Sequence, residues 1–187
     1  MTTGSWEVEL KFHIDELLQV EQQLATVGFV QIEFQRHQDC YYRHPCRDFI
    51  QTDEAFRIRC VNDDAMVTYK GPRHAGPVKT REEIELMIQA NQLGQWKTIV
   101  EKLGFSPVVP VRKTRRVLSS DKPEYSGIHV TLDNVEQLGL FAEIEIVVHQ
   151  KQELQAAEKR VTELAKLIGL ERHQPRSYLS LLQEKIG

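Results

Sequence analysis

Acidic and basic residues recur in this chain as i, i+2 pairs: Glu7 with Glu9, Arg57 with Arg59, Glu83 with Glu85, Lys113 with Arg115, and Glu143 with Glu145. Carboxylates are hard oxygen ligands, and few histidines accompany them, so the metal expected here is Mg²⁺ or Mn²⁺ in preference to zinc or copper. Mg²⁺ held by one or two carboxylates is normally completed by substrate phosphates, and rows of Arg and Lys are suited to grip those phosphates. The chemistry expected of the set is capture of a polyphosphate chain bridged by metal.

A spacing of two is the period of a β-strand. Trp6-Glu7-Val8-Glu9-Leu10-Lys11-Phe12 alternates apolar and charged residues without a break, which gives one strand an apolar face and a fully charged face. A water-facing sheet surface would explain one such strand. Five paired sites of alternating sign are better explained by charged faces that look at each other inside a closed antiparallel barrel, with the apolar outside covered by helices. Parity then places Glu7, Glu9, Glu83, Glu85, Asp133, Glu143 and Glu145 in the lumen with Lys11, Arg57, Arg59, Lys70, Arg81, Lys113 and Arg115. Like charges a few ångströms apart repel by several kcal/mol at an effective dielectric of about 20, so cations must share this space.

In chain order, a helix is expected over Ile14 to Val27, with Leu17, Leu18, Leu24 and Val27 inward, Asp15 and Glu16 in its first turn, and Gly28 as its cap. A long strand over Phe29 to Tyr42, a turn over Arg43 to Asp48, and a hairpin of Ala55 to Val61 with Ala65 to Lys70 follow, Asn62-Asp63-Asp64 supplying the turn. Lys70 to Pro77 reads as a solvated connection, with a flap at the barrel mouth as the alternative. A strand from Val78 leads to a helix over Asn91 to Leu103, with Trp96, Ile99, Val100 and Leu103 inward. Strands over Val108 to Leu118, Ile128 to Asn134 and Phe141 to His149, then helices over Glu153 to Leu167 and Tyr178 to Ile186, complete the chain. Three times the order is an E-x-E strand, an amphipathic helix, and Gly before an apolar residue: Gly28-Phe29, Gly104-Phe105 and Gly169-Leu170. One α+β domain over residues 1–187 accounts for this pattern.

The formal net charge of -3 argues against a nucleic-acid binder working by bulk charge. No run has the apolar length of a membrane span and the first residues do not resemble a signal peptide, so a cytoplasmic protein is expected. Cys40, Cys46 and Cys60 are odd in number and lack C-x-x-C spacing, as free thiols would be. Tyr41, Tyr42 and Trp96 are read as wall and core residues, and His129 as a hydrogen-bonded filler of the lumen.

The charged blocks also carry a resemblance. Glu7-x-Glu9-x-Lys11, Gln38-Asp39-Cys40-Tyr41-Tyr42, Phe56-Arg57-Ile58-Arg59, Thr68-Tyr69-Lys70-Gly71-Pro72, Arg81-Glu82-Glu83-Ile84-Glu85, and Leu132-Asp133 through Glu143-Ile144-Glu145 follow one another in the order of the CYTH superfamily, the triphosphate tunnel metalloenzymes. His129-Val130-Thr131 and Arg176-Ser177-Tyr178-x-x-Leu181-Leu182 resemble its class IV adenylyl cyclase branch. The resemblance implies an eight-stranded tunnel, a homodimer, and divalent metal on the acidic residues. It implies metal at Glu7, Glu9, Glu143 and Glu145, with Glu83, Glu85 and Asp133 as further acidic candidates. Arg57, Arg59, Lys70 and Arg81 would bind substrate, while Lys11, Lys113 and Arg115 would act on the triphosphate as charge develops. The implied reaction is conversion of ATP to cyclic AMP and pyrophosphate. Hydrolysis of a nucleoside, thiamine or inorganic triphosphate would use the same lining. A polyphosphate-binding module without turnover is the alternative of another class, and buried carboxylates count against it because each costs several kcal/mol when unpaired.

Overall fold

The computed structural model describes residues 5–73 and 79–186, so the end of the Gly- and Pro-rich connection, residues 74–78, lies outside the described residues. The strands are β1 (Ser5–His13), β2 (Val30–Arg43), β3 (Ala55–Val61), β4 (Asp64–Lys70), β5 (Lys79–Ile88), β6 (Ser106–Pro107), β7 (Val111–Ser119), β8 (Ile128–Val135) and β9 (Gly139–Val148). The helices are α1 (Leu17–Val27), α2 (Leu93–Lys102), α3 (Leu154–Leu167) and α4 (Tyr178–Ile186).

Eight strands close on themselves in the order β1-β5-β4-β3-β2-β7-β8-β9 and back to β1, every neighbour antiparallel. The two-residue β6 pairs outside this ring with the end of β2. Closure leaves the two residue parities of each strand no choice but lumen and outer wall. On β1 the outer set is Val8, Leu10 and Phe12, which join Val20 and Leu24 of α1 and Val161, Leu164 and Ala165 of α3 in one buried cluster. Each Val, Leu or Phe side chain among them contributes about 1.5–3 kcal/mol by leaving water. A second outer cluster seats Val100 and Trp96 of α2 on Tyr42 and Ile58.

α1 begins at Leu17, two residues after Asp15, because Glu16 is extended (φ -139°) and occupies the capping position; the expected acidic first turn is absent from this helix. Leu18 faces solvent, and Ile99 and Leu103 near the end of α2 are likewise exposed. These helices contact the barrel along narrow stripes, so only part of each apolar pattern is buried. Gly28 ends α1 with φ +98°, a backbone that a side chain would strain, and the same left-handed turn recurs at Gly104 and Gly169. The repeat seen in the sequence is thus a repeated way of ending a helix.

α4 is held across one end of the barrel. Where β5 stops pairing with β1 at Glu9, the extended segment before α4 takes over the β1 edge: His13 donates to the Arg172 carbonyl at 2.9 Å and Gln174 donates to the Lys11 carbonyl at 2.8 Å. Tyr178, Leu181 and Leu182 then pack on Tyr41, Val111, Val135 and Phe141, which ring that end. At the other end, the lumen-parity residues Glu85, Met87 and His129 are exposed. One end of the tunnel is therefore capped and the other meets solvent. All three cysteines are free thiols. Among the described residues no helix is long and apolar enough to cross a membrane.

Candidate functional site

Strand register determines which charges meet. Glu9 pairs with Glu145 and Lys11 with Glu143 across β1 and β9; Arg115 pairs with Asp133 across β7 and β8; Asp39 pairs with Arg59 across β2 and β3; Lys70 pairs with Glu83 across β4 and β5. The expected set of basic and acidic residues falls on the lumen parity throughout. Lys11, Arg57, Lys70, Lys113, Arg115, Glu9, Glu83, Asp133 and Glu143 are buried, Arg59, Arg81, Glu7 and Glu145 are half-buried, and Glu85 is at the exposed rim.

Next to the cap, Asp133 is engaged by three donors. Lys113 Nζ lies 2.7 Å from Oδ2, Arg115 grips both oxygens at 2.6 and 2.7 Å, and Tyr178 Oη donates to Oδ2 at 2.9 Å. Burial alone would raise the Asp133 pKa, but Arg115 and Lys113 outweigh it and hold the carboxyl well below the usual carboxylate range. Asp133 is thereby engaged by protein donors on both oxygens. Arg115 also pairs with Glu143. Burial and the adjacent Arg115 push the Lys113 ammonium down to about 8, against the attraction of Asp133 and Glu143.

Asp39 plays the same part on the other wall. Arg59 grips it through two bonds of 2.6 and 2.7 Å, and Arg57 approaches at 3.3 Å. These guanidiniums overcome the burial that would raise its pKa and keep it ionised. The Arg57 Nε is buried without a hydrogen-bond partner among the described residues, so this guanidinium retains unused donor capacity in the lumen. His37 lies beside this group; burial and the neighbouring Arg59 and Lys113 lower its pKa to about 2, so it is a neutral imidazole, with Nε2 2.6 Å from Gln35 Oε1.

Towards the open end the balance becomes acidic. Lys70 pairs with Glu83 and stands 3.5 Å from Glu7, and Arg81 lies 3.4 Å from Glu83. Glu83 is held below its ordinary pKa because Lys70 and Arg57 overcome its burial. Glu7 is pushed well up, first by burial and then by Glu83, Glu9 and Glu145, with Lys70 offsetting only part. Glu145 is raised by burial and by Glu143 and Glu9, against Arg115. These two carboxyls present surface to the lumen while tunnel wall surrounds them, so partial accessibility and strong desolvation coexist. Mutual repulsion among oxygen donors is what a divalent cation would relieve, and the donor set fits Mg²⁺ or Mn²⁺. Among the described residues no three His, Cys, Asp or Glu side chains form a ready metal cage.

Sequence periodicity gives Asp39 and His37 no lumen role, and for Tyr178 it offers only a segment that closes one tunnel end or makes a dimer contact. Asp39 shares parity with Tyr41 opposite the Arg57 and Arg59 row, a signal that needed the β2–β3 register to be seen. A cavity of about 490 Å³ opens mainly on the opposite parity of β2, β3, β7 and β8, with Arg36, Gln38, Cys60, Arg112 and Asn134 in its lining, and it also touches the lumen-parity residues His37 and Lys113. The carboxylates and cations converge in the lumen.

A model of the CYTH domain matches residues 5–178. A protein of Methanocaldococcus jannaschii, provisionally named an adenylate cyclase, is 37% identical over 177 residues, covering 94% of this chain and 97% of that protein. A solved structure from Pyrococcus horikoshii is 39% identical with a TM-score of 0.86, covering 96% of this chain and 99% of the other. A Hippeastrum structure, of a protein provisionally named an adenylyl cyclase and described as revealing a dominant triphosphatase activity, shares the fold at 17% identity and a TM-score of 0.66, with 97% and 96% coverage.

Proposed function

The chain belongs to the CYTH domain family, and from that premise we propose that it is a metal-dependent enzyme acting on triphosphates that converts ATP to cyclic AMP and pyrophosphate. The observation that carries the reading is the lumen's order of charge: Lys11, Lys113, Arg115, Arg57 and Arg59 lie towards the capped end, with Glu9 and Glu145 opposed on neighbouring strands nearer the open end. An anion of three linked phosphates matches such a row of cations, and the name of the M. jannaschii relative supports the cyclase assignment.

In this reading the ribose 3'-hydroxyl gives up its proton to solvent as its oxygen bonds to the α-phosphorus, the bond from that phosphorus to the bridging oxygen breaks, and pyrophosphate departs with the electron pair. Glu7, Glu9, Glu143 and Glu145 would hold Mg²⁺ or Mn²⁺, which when bound lowers the pKa of the attacking hydroxyl and neutralises charge on the phosphates. Arg57, Arg59, Lys70 and Arg81 bind the phosphate oxygens. Lys11, Lys113 and Arg115 stabilise the charge that grows on the leaving group, from positions already fixed before reaction. Asp133, Asp39 and Glu83 hold those cations in place. Hydrolysis is the second reading, because the cations address phosphate oxygens whatever organic group is attached and water can replace the hydroxyl.

Product analysis separates these outcomes. Purified protein is incubated with ATP, or with inorganic triphosphate, in Mg²⁺ or Mn²⁺ and in a chelated control. Cyclic AMP with equimolar pyrophosphate is expected; orthophosphate without cyclic AMP moves the function to hydrolysis. Metal-independent binding without turnover points to a binding module.

A further inference from the structure

We propose that Tyr178 is a positioning residue for the phosphate chain: its ring is the platform on which Lys11 and Lys113 are held as cations facing the tunnel. The inference rests on the triphosphate reading above and adds to it a residue outside the charged strands. Lys11 Nζ stands 4.2 Å and Lys113 Nζ 5.1 Å from the centroid of the Tyr178 ring. All three side chains are buried, and Phe141 fixes the ring in an edge contact at 4.9 Å between centroids.

A buried lysine can be held by a carboxylate or by an aromatic face. A carboxylate neutralises it and competes with an incoming anion. An aromatic face attracts it through the ring quadrupole and leaves its charge to act on a phosphate. Lys113 pairs with Asp133, a carboxylate that it shares with Arg115 and with Tyr178 Oη. The tyrosine hydroxyl therefore also takes up part of the acceptor capacity of that carboxylate. Burial and the Asp133 charge push the phenol pKa well up, so the ring remains a neutral platform. α4 thus does more than close the tunnel with apolar packing: it brings to the cap a ring contacted by both lysines.

The test compares wild type, Tyr178→Phe and Tyr178→Leu for binding of inorganic tripolyphosphate with Mg²⁺ by titration calorimetry, with thermal melting by circular dichroism as the fold control. Phe keeps the ring and loses the hydroxyl; Leu keeps an apolar cap and loses the ring. Tyr178→Phe is expected to bind within about threefold of wild type and Tyr178→Leu about tenfold more weakly, the range of a desolvated cation–ring contact. Equal affinity for Leu and wild type, or equal loss for Phe and Leu, overturns the inference. Should the Leu variant fail to fold, phenylalanines carrying one, two and three fluorines at position 178 replace it. Stepwise loss of affinity with fluorination supports the platform, and a flat series overturns it. Absence of tripolyphosphate binding by the wild-type protein overturns the triphosphate reading and this inference together.

Discussion

Glu9 and Glu145 stand opposite each other on neighbouring strands, β1 and β9, both turned into the lumen. Two carboxylates so placed raise each other's cost of ionisation, and for Glu145 the rise in pKa includes a contribution from Glu9. A protein optimised only for stability would not keep this pair; a protein that closes it with a divalent cation would.

Replacing either member by glutamine therefore has opposite effects on stability and turnover. Glu9→Gln and Glu145→Gln should each lower kcat/KM for the triphosphate substrate by at least about 100-fold, since a metal-holding charge is lost. In the presence of a chelator the same variants should melt about 2–4 °C above wild type, corresponding to about 1 kcal/mol of relieved repulsion in a domain of this size. Steady-state kinetics and calorimetric scans check the two halves, and retained activity in both variants would remove the pair from the metal site.

The pH dependence of stability carries a second expectation. Glu7 and Glu145 have folded-state pKa values above their unfolded ones, so in the window above about 4.5 the folded state binds more protons, and stability falls as pH rises through the raised values. Asp39 and Asp133 are shifted the other way; their contribution is present above an unfolded pKa of about 4 and is lost as pH falls towards their depressed values. Chelated protein should thus be most stable in mildly acidic solution. Mg²⁺ should remove the decline towards neutral pH. Melting temperatures across pH 3–8, with and without about 5 mM Mg²⁺, test this; an unchanged profile with metal would count against an ion at Glu7 and Glu145.

Asp133 is expected to matter for stability before it matters for chemistry. Asp133→Asn leaves Lys113 and Arg115 buried with their main counter-charge removed, which should cost about 3–5 kcal/mol. Urea denaturation with an unchanged slope would register this as a shifted midpoint. A loss under about 1 kcal/mol would show that Glu143 alone suffices for Arg115.

How much of this was legible before folding depended on whether the signal was local. The alternation of Trp6 to Phe12 fixed which face of β1 is charged, and the same rule located the other basic and acidic pairs, because a strand's two faces are encoded residue by residue. The start of α1 differs from the expected one because Asp15 and Glu16 suit a first helical turn in isolation, whereas Glu16 stays extended after the β1 strand. The partners of Asp39 depend on the β2–β3 register, and the position of Tyr178 depends on Arg172 to Gln174 returning to the β1 edge. Such contacts join residues far apart in sequence, so periodicity could supply the charged lining but not the network that holds it.

Lys113 supplies the last prediction. Its ammonium is pushed down to about 8 by burial and by Arg115, while the unfolded chain would titrate at about 10.4. Between those values the unfolded state binds more protons, so the Lys113 contribution to stability rises with pH across that window. Ligand binding reverses the balance, because a polyanion in the lumen favours the charged lysine. At pH 8.5–9, tripolyphosphate binding should be accompanied by proton uptake at Lys113, and at pH 6.5, where the group is already protonated, that uptake should vanish. Titration calorimetry in two buffers of different ionisation enthalpy measures the proton count directly. Lys113→Met should abolish the uptake at pH 8.5–9 and weaken binding; uptake of the same size in that variant would assign the titration to another group and show that Lys113 meets the anion already charged.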